Sequence, residues 1–435
     1  MIAAAPTELL VDEYQLAMAD SYLAQGIADC PVSFELFVRT LPPNRGYLIA
    51  AGLERAVEFL TGLGFGADAL AYLERAEICS PALVRRLAEA SFMGDVWAVP
   101  EGTVVHADEP IVRVEGDLLT SQLAETLLLN QVNFQTLIAT KASRVVTAAG
   151  GRPVVDFGFR RAHGADAGLL AARAAYIGGC SATATVAAGY RWGIPTTGTM
   201  AHSYVLSFPS EEEAFAAFLA DHPDRSTLLV DTRDAVAGAQ AAVAAARRLG
   251  TTPQAVRLDS GDLVRLTREV RGVLDAGGLG ETRIVCSGDL DEYRIADLLA
   301  AGAPIDAFGV GTALTTSSDA PALGGVYKLV EANGKPVMKA AGAKSNLPGR
   351  HQVFRDASGG DVIGLDGEEL SGDALLQPVL RSGKPVGSPP PLAAARDRAA
   401  AEVAALPAGV RALRDPDTLP PRLSPRLLAL KEELG

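Results

Sequence analysis

The sequence predicts an α/β chain whose centre is a parallel (β/α) barrel, flanked by a second domain assembled from both sides of it. Three observations carry this. Between Asp156 and Thr312 a short apolar run ends six times in a polar or glycine-rich turn, and a helical stretch usually follows. From Gly94 to Glu115 the pattern changes to short alternating runs broken by Pro-Glu-Gly and Asp-Glu-Pro. After Val326 the strand-helix rhythm loosens again.

Taken in order, residues 8–25 carry apolar side chains three to four apart at Leu9, Leu16, Met18, Tyr22 and Leu23, which predicts an amphipathic helix. VSFELFVRTLP reads as a strand and GLERAVEFLTGLG as a helix. The 94–115 stretch predicts short antiparallel strands, and 118–149 returns to helix. The barrel turns are then Asp156–Arg161, Gly198–Ser203, Asp231–Arg233, Arg257–Asp262, Ser287–Asp289 and Phe308–Thr312. Two are near copies, Ser260-Gly-Asp-Leu263 and Ser287-Gly-Asp-Leu290. KLVEANGKPVMKAAGAKSNLPGRHQVFRD reads as strands joined by turns, GKPVGSPP as a linker, and a charged helical tail closes the chain. The expected organisation is an N-terminal helix over 1–24, a barrel over 121–325, and a discontinuous domain over 25–120 and 326–435.

A chain of 435 residues, 48% hydrophobic and 21% charged, can bury a sizeable core. No apolar run is long enough to span a membrane, and MIAAAPTELLVDEYQ lacks the basic start of a signal peptide, so a cytoplasmic protein is expected. Cys30, Cys79, Cys180 and Cys286 are far apart with no CxxC pair, which argues against structural zinc and a disulfide framework. A formal charge of −13 argues against general nucleic-acid binding. It leaves room for an anionic substrate, because charges are screened over about 8 Å and a local arginine cluster decides what a pocket takes.

In such a barrel the turns after the strands hold the active site, and here they supply arginines, acids, one histidine and glycines. Arg160 and Arg161 offer forks for carboxylate or phosphate, with a surface ion pair as the alternative. His202 lies beyond a Gly-Thr turn, where an imidazole can act as base or nucleophile. Arg257 and Asp259 occupy a strand end, while Ser260 or Asp262 caps the next helix. A carboxylate at Asp259 can bind ribose hydroxyls or Mg²⁺. Gly288 and Asp289, then Gly309, Gly311 and Thr312, form the last two turns, where barrels often bind phosphate. Lys141 and Arg144, one helical turn apart, face either the pocket or solvent.

DEYQLAMADSYL, FELFVRTLPPNRGYLIAAGLE, LLNQVNFQTLIATKASRV, DFGFRRAHG, GIPTTGTMAHSYV, RLDSGDL, SGDLDEYRI and FGVGTAL, continuing to GKPVMK and LPGR, together resemble the nicotinate phosphoribosyltransferase family. The resemblance implies a type II phosphoribosyltransferase fold: α/β, an irregular incomplete (β/α) barrel with a second, discontinuous α/β sandwich domain. It implies a homodimer. It implies that nicotinate and 5-phosphoribosyl 1-diphosphate give nicotinate mononucleotide and pyrophosphate, in NAD salvage, with ATP and Mg²⁺ required. His202 then matches a histidine phosphorylated by ATP. Thr199 would contact nicotinate, Tyr14 would stack on the pyridine ring from the partner subunit, and Phe157 would form the opposite wall. Arg160 would bind the nicotinate carboxylate or a neighbouring phosphate. Arg257 and Asp259 match positions that bind the sugar diphosphate and its Mg²⁺; Lys141 joins the substrate-binding set; Gly288, Asp289, Gly311 and Thr312 match the 5′-phosphate cradle. His351 stands where a basic residue is expected and has no role in the resemblance. The alternatives are a nicotinamide or quinolinate phosphoribosyltransferase, or a non-catalytic pyridine-nucleotide sensor on the same fold.

Overall fold

The computed structural model describes residues 6–339, 346–356 and 359–435. Expectations that fall on residues 1–5, and on 340–345 in the stretch after Val326, lie outside them. The chain divides into two compact units, one of Met1–Leu137 with Ala322–Gly435 and one of Ile138–Pro321.

The Ile138–Pro321 unit is built on a six-stranded sheet ordered Ala182–Thr183, Val154–Asp156, Ala307–Val310, Arg283–Cys286, Ala255–Leu258, Thr227–Leu229. Every pairing is parallel. Helices Ala165–Ile177, Ala235–Leu249, Leu263–Ala276 and Glu292–Ala300 return the chain between strands. Val154, Leu228, Val256, Ile284 and Phe308 from the strands pack with Ala239, Ala242, Val270, Leu274, Ile295 and Leu298 from the helices in one buried core. Full burial of each larger aliphatic side chain contributes about 1.5–3 kcal/mol. Strands buried this way read as continuous apolar runs, which is why TLLV, AVRL and RIVC show no alternation.

One expected strand moves. The run before Gly198 makes only an isolated bridge, Thr196 to Thr183. The ladder strand is Ala182–Thr183, which the sequence reading passed over because it is two residues long and bounded by serine, alanine and threonine. The two edge strands share no ladder, yet the segments after them meet: His202 Nδ1 lies 3.1 Å from Thr232 Oγ1. The sheet is therefore curled into an incomplete barrel.

The other unit draws strands from both ends of the chain. A seven-stranded antiparallel sheet runs in the order Lys335–Pro336, Gly325–Ala332, Pro31–Val38, Pro110–Asp117, Asp95–Ala98, Gln377–Arg381, Lys384–Pro385. The expected linker GKPVGSPP thus begins as an edge strand, paired back on Leu380 and Arg381. A four-stranded sheet adds Asp373–Ala374, His351–Arg355, Asp361–Leu365 and Arg422–Leu423. The first helix is Glu13–Ala24, shorter than expected at its start, because Asp12 and Gln15 form a reciprocal capping box there. Its Leu16 and Ala19 pack with Leu73, Leu83, Leu87, Leu119 and Leu123.

His351 acquires a structural role. It is 1% exposed. Its Nδ1 lies 2.6 Å from Glu35 Oε2, its backbone N–H donates to Glu35 Oε1 at 2.8 Å, and Nε2 lies 3.1 Å from the Pro348 carbonyl. A buried carboxylate demands such a partner. Among the described residues, no helix is long and apolar enough to cross a membrane.

Candidate active site

The carboxyl ends of the six parallel strands bring together most of the polar residues singled out in the 138–321 part of the sequence. Arg257, at the third position of its strand, is the hub. Nε donates to Ser287 Oγ at 2.8 Å, Nη1 to Thr199 Oγ1 at 2.9 Å, and Nη2 to Asp259 Oδ1 at 2.7 Å. Its guanidinium also lies 5.6 Å from the centroid of the Phe157 ring. A planar fork with separate donors suits four neighbours at once, where an ammonium would not.

Asp259 is held from several sides. Ser287 Oγ donates to Oδ1 at 2.5 Å, alongside Arg257. Burial pushes its carboxyl up, but the Ser287 and Arg257 hydrogen bonds, the Arg257 charge and nearby His202 outweigh this and hold it below the usual range. The Asp259 backbone N–H donates to Asp231 Oδ2 at 2.7 Å, and Ser260 Oγ donates to the same oxygen at 3.0 Å. Asp231 Oδ1 is buried and has no hydrogen-bond partner among the described residues.

Phe157 follows Asp156, whose buried carboxylate accepts from the Gly158 N–H at 2.9 Å and from Thr183 Oγ1 at 2.8 Å. Burial raises the Asp156 pKa, and those two donors offset only part of the shift. The neighbouring strand must make room for the Phe157 ring: a Cβ on Gly309 would sit 2.3 Å from its Cε2. Gly288 is required for a different reason. It has φ +89°, and a Cβ there would fall 1.7 Å from the Asp259 carbonyl oxygen. Asp289 follows with φ 46°. Gly311 and Thr312 open the next turn, with Gly311 close to the Phe157 backbone.

The two Ser-Gly-Asp-Leu copies diverge in three dimensions. Asp262 caps its helix, accepting from Arg265 N–H at 3.2 Å. In the second copy Asp291 is the cap, accepting from Arg294 N–H at 2.7 Å, which releases Asp289. Ser260 is exposed, whereas Ser287 is buried under Arg257 and Asp259.

The remaining singled-out residues stand elsewhere. Arg160 and Arg161 lie on the short helical turn Phe159–Arg161, both exposed. Lys141 is 1% exposed, its ammonium 2.6 Å from Glu292 and 2.7 Å from Asp319. Arg144 is buried beside it, bonding Glu292 at 3.0 Å. Both charges are thus taken up inside the unit. Tyr14 belongs to the other unit, 49% exposed, its hydroxyl donating to Glu125 at 2.9 Å. Asp231, Thr232 and Ser287 join the site although the sequence marks them only by their place in two of the six turns.

Among the described residues, no group of three or more His, Cys, Asp or Glu side chains could hold a metal. Asp231 and Asp259 instead present two adjacent carboxylates, one with an unpartnered buried oxygen. That suits Mg²⁺, which binds through one or two carboxylates together with substrate phosphates.

The chain is similar to known proteins along most of its length. Residues 9–133 match the family described as nicotinate phosphoribosyltransferase (NAPRTase) N-terminal domain, and residues 138–321 match that described as quinolinate phosphoribosyl transferase, C-terminal domain. A nicotinate phosphoribosyltransferase of Mycobacterium tuberculosis is 47% identical over 414 residues, covering 94% of this chain and 89% of that protein. One of Bacillus subtilis is 42% identical over 85% of this chain and 78% of its own. The crystal structure of human nicotinic acid phosphoribosyltransferase superposes with a TM-score of 0.86 at 30% identity, covering 98% of this chain and 99% of that one. A nicotinate-nucleotide pyrophosphorylase from Pyrococcus furiosus gives 0.77 at 27% identity, covering 93% and 98%. The chain belongs to the nicotinate phosphoribosyltransferase family.

Proposed function

We propose that the protein joins nicotinate to 5-phosphoribosyl 1-diphosphate, releasing nicotinate mononucleotide and pyrophosphate, in NAD salvage. The observation that carries this is the Arg257 hub, which ties Thr199, Asp259 and Ser287 together beside Phe157 in a chain with close relatives of that name. In the reaction the pyridine nitrogen attacks ribose C1 as the bond from C1 to the diphosphate oxygen breaks. Positive charge develops on the sugar and negative charge on the leaving group. Positioning and charge stabilisation therefore carry the rate.

Arg257 and Asp259 hold the sugar diphosphate. Asp259 and Asp231 would hold Mg²⁺, which when bound would neutralise charge on the diphosphate. Gly288, Asp289, Gly311 and Thr312 bind the 5′-phosphate, their turns being open and, at Gly288 and Asp289, in left-handed backbone that exposes successive N–H groups. Phe157 and Thr199 flank the pyridine ring, with Tyr14 of a partner subunit stacking on its other face. Within this reading the protein is a homodimer, and exposed Val186 and Tyr190, one turn apart on a single helix, are apolar side chains that a partner would cover. Exposed Arg160 pairs with the nicotinate carboxylate. Lys141 acts on the site by holding Glu292 and Asp319 rather than by touching substrate.

ATP hydrolysis is coupled through His202. Its Nδ1 is beside Thr232, which leaves Nε2 as the nitrogen to attack the γ-phosphorus as ADP departs. The imidazole lies close enough to Asp259 to influence its carboxyl, so adding a phosphoryl group there alters the hold on the diphosphate. A coupling of about 1–3 kcal/mol is typical of linked sites. We place the protein in a reducing cytoplasm, which suits the thiols of Cys30, Cys79, Cys180 and Cys286.

The test is product formation from nicotinate with phosphoribosyl diphosphate and Mg²⁺, with and without ATP, in the wild type and His202→Ala. Stimulation by ATP that disappears in His202→Ala supports the coupling. Product insensitive to ATP in both keeps the transferase and removes the role of His202. Quinolinate and nicotinamide are assayed in parallel, since residues 138–321 match a quinolinate family model; turnover of either, without nicotinate turnover, replaces the substrate assignment.

A further inference from the structure

Half-exposed Tyr14 is not free to move. It sits in the first turn of the Glu13–Ala24 helix, and its hydroxyl donates to Glu125 Oε2 at 2.9 Å. The same carboxylate oxygen accepts from Gln122 Nε2 at 2.7 Å, which fixes the Glu125 rotamer. Around this bond the helix start is tied down three more times. Gln15 Nε2 donates to the Gln122 carbonyl at 2.8 Å, and Thr126 Oγ1 donates to Asp12 Oδ2 at 2.6 Å and to Gln15 Oε1 at 3.0 Å. Burial first, then the Glu125 hydrogen bond, raise the phenol pKa, so it remains a donor across the physiological range.

The tethered ring borders a cleft of about 380 Å³, lined also by Met18, Tyr22, Phe34 and Tyr327. Phe34 and Tyr327 stack there with ring centroids 4.8 Å apart. An aromatic ring anchored by its hydroxyl, with one side exposed, is preorganised for stacking, because its rotamer entropy is lost before any ligand arrives.

We propose that Glu125 is a positioning residue for nicotinate binding: by accepting the Tyr14 hydroxyl it holds the ring in the orientation that stacks on the pyridine. This rests on the assignment of Tyr14 as the stacking residue given above. The fold itself does not require the bond, since Asp12, Gln15, Gln122 and Thr126 secure the helix without it.

The experiment is steady-state kinetics of the purified full-length enzyme, with KM for nicotinate and for phosphoribosyl diphosphate measured separately, alongside thermal melting. Tyr14→Phe keeps the ring and removes the anchor. Glu125→Ala removes the acceptor, and Glu125→Gln retains one. The expected result is a nicotinate KM raised by roughly 3- to 10-fold in Tyr14→Phe and Glu125→Ala, the cost of ordering one side chain on binding. The double variant should show no further rise, because both changes break the same contact. Glu125→Gln should restore most of the affinity, and the phosphoribosyl diphosphate KM should not move. If Glu125→Ala does not fold, Tyr14→Phe and Glu125→Gln carry the comparison. A Tyr14→Phe enzyme with unchanged nicotinate KM, while Tyr14→Ala raises it, overturns the positioning role and leaves stacking intact. A Tyr14→Ala enzyme with unchanged nicotinate KM overturns the stacking assignment as well.

Discussion

Arg257→Lys keeps a positive charge at the end of the Ala255–Leu258 strand and removes the fork that serves Ser287, Thr199 and Asp259 through three different nitrogens, at 2.7–2.9 Å. A single ammonium can retain one of these partners well, and Asp259 is the one charge selects. Two hydrogen bonds from a charged donor are then lost. Each is worth about 1.5–3 kcal/mol in a buried setting. The Arg257 side chain is 11% exposed and Thr199 is only partly buried, so water recovers some of this. A net loss of about 2–4 kcal/mol in transition-state stabilisation follows, or roughly 30- to 700-fold in kcat/KM for phosphoribosyl diphosphate. Folding stability falls less, by about 1–2 kcal/mol, because Asp259 keeps Ser287. Initial rates across sugar-diphosphate concentration at saturating nicotinate measure the first quantity, and urea denaturation the second. The pH dependence gives an independent check. The folded Asp259 pKa lies below its unfolded value near about 3.9, so the stability it contributes is present above that value and lost as pH falls through the folded pKa. With a weaker partner at position 257, the loss begins at higher pH. A variant within threefold of wild-type kcat/KM, with an unchanged acid limb, would refute the view that the fork geometry, rather than the charge, organises the site.

Two further perturbations test the supporting structure. Asp156 is the opposite case to Asp259: its folded pKa is raised by burial, so stability falls as pH rises from the ordinary carboxylate range through the folded pKa. Asp156→Asn can still accept from Gly158 and donate to Thr183, and should abolish that slope while leaving stability at neutral pH within about 1 kcal/mol of wild type; equal slopes in denaturation curves from pH 4 upward would count against it. His351→Ala leaves the buried Glu35 carboxyl with the backbone N–H of residue 351 and without its imidazole partner, and should cost about 3 kcal/mol in urea denaturation, so a loss under about 1 kcal/mol would mean that Glu35 finds another partner.

The parallel unit was legible because its signals are local. A buried strand followed by a polar turn and a helix leaves a mark within each repeat, and five of the six expected strands form, although the last, Ala307–Val310, takes in most of the expected Phe308–Thr312 turn. The sixth, Ala182–Thr183, is too short to carry a pattern, and the apolar run nearest to the turn forms only an isolated bridge. The Asp12 capping box was also present in the sequence, and it sets the helix start that apolar spacing alone placed too early. The linker reading of GKPVGSPP failed for a different reason: its pairing partner, Leu380 and Arg381, is an edge that exists only once the antiparallel sheet has formed.

Motif order established the family, and strand-end position brought Arg257, Asp259, His202 and Thr199 under suspicion. What the sequence could not determine is which polar groups meet. Ser260 and Ser287 carry the same neighbours in the chain, yet only Ser287 lies beneath Arg257, and the cap differs too, Asp262 in one repeat and Asp291 in the other. Lys141 and Arg144 could have faced a pocket or solvent. Tertiary structure instead paired both with Glu292, far along the chain. Asp231 stands out only through its tertiary setting, where one carboxylate oxygen is buried with no hydrogen-bond partner among the described residues. Periodicity and turn chemistry act over a few residues and are written into the chain. Hydrogen-bond satisfaction and burial are settled between segments that meet only when the sheet curls, and those decided the site.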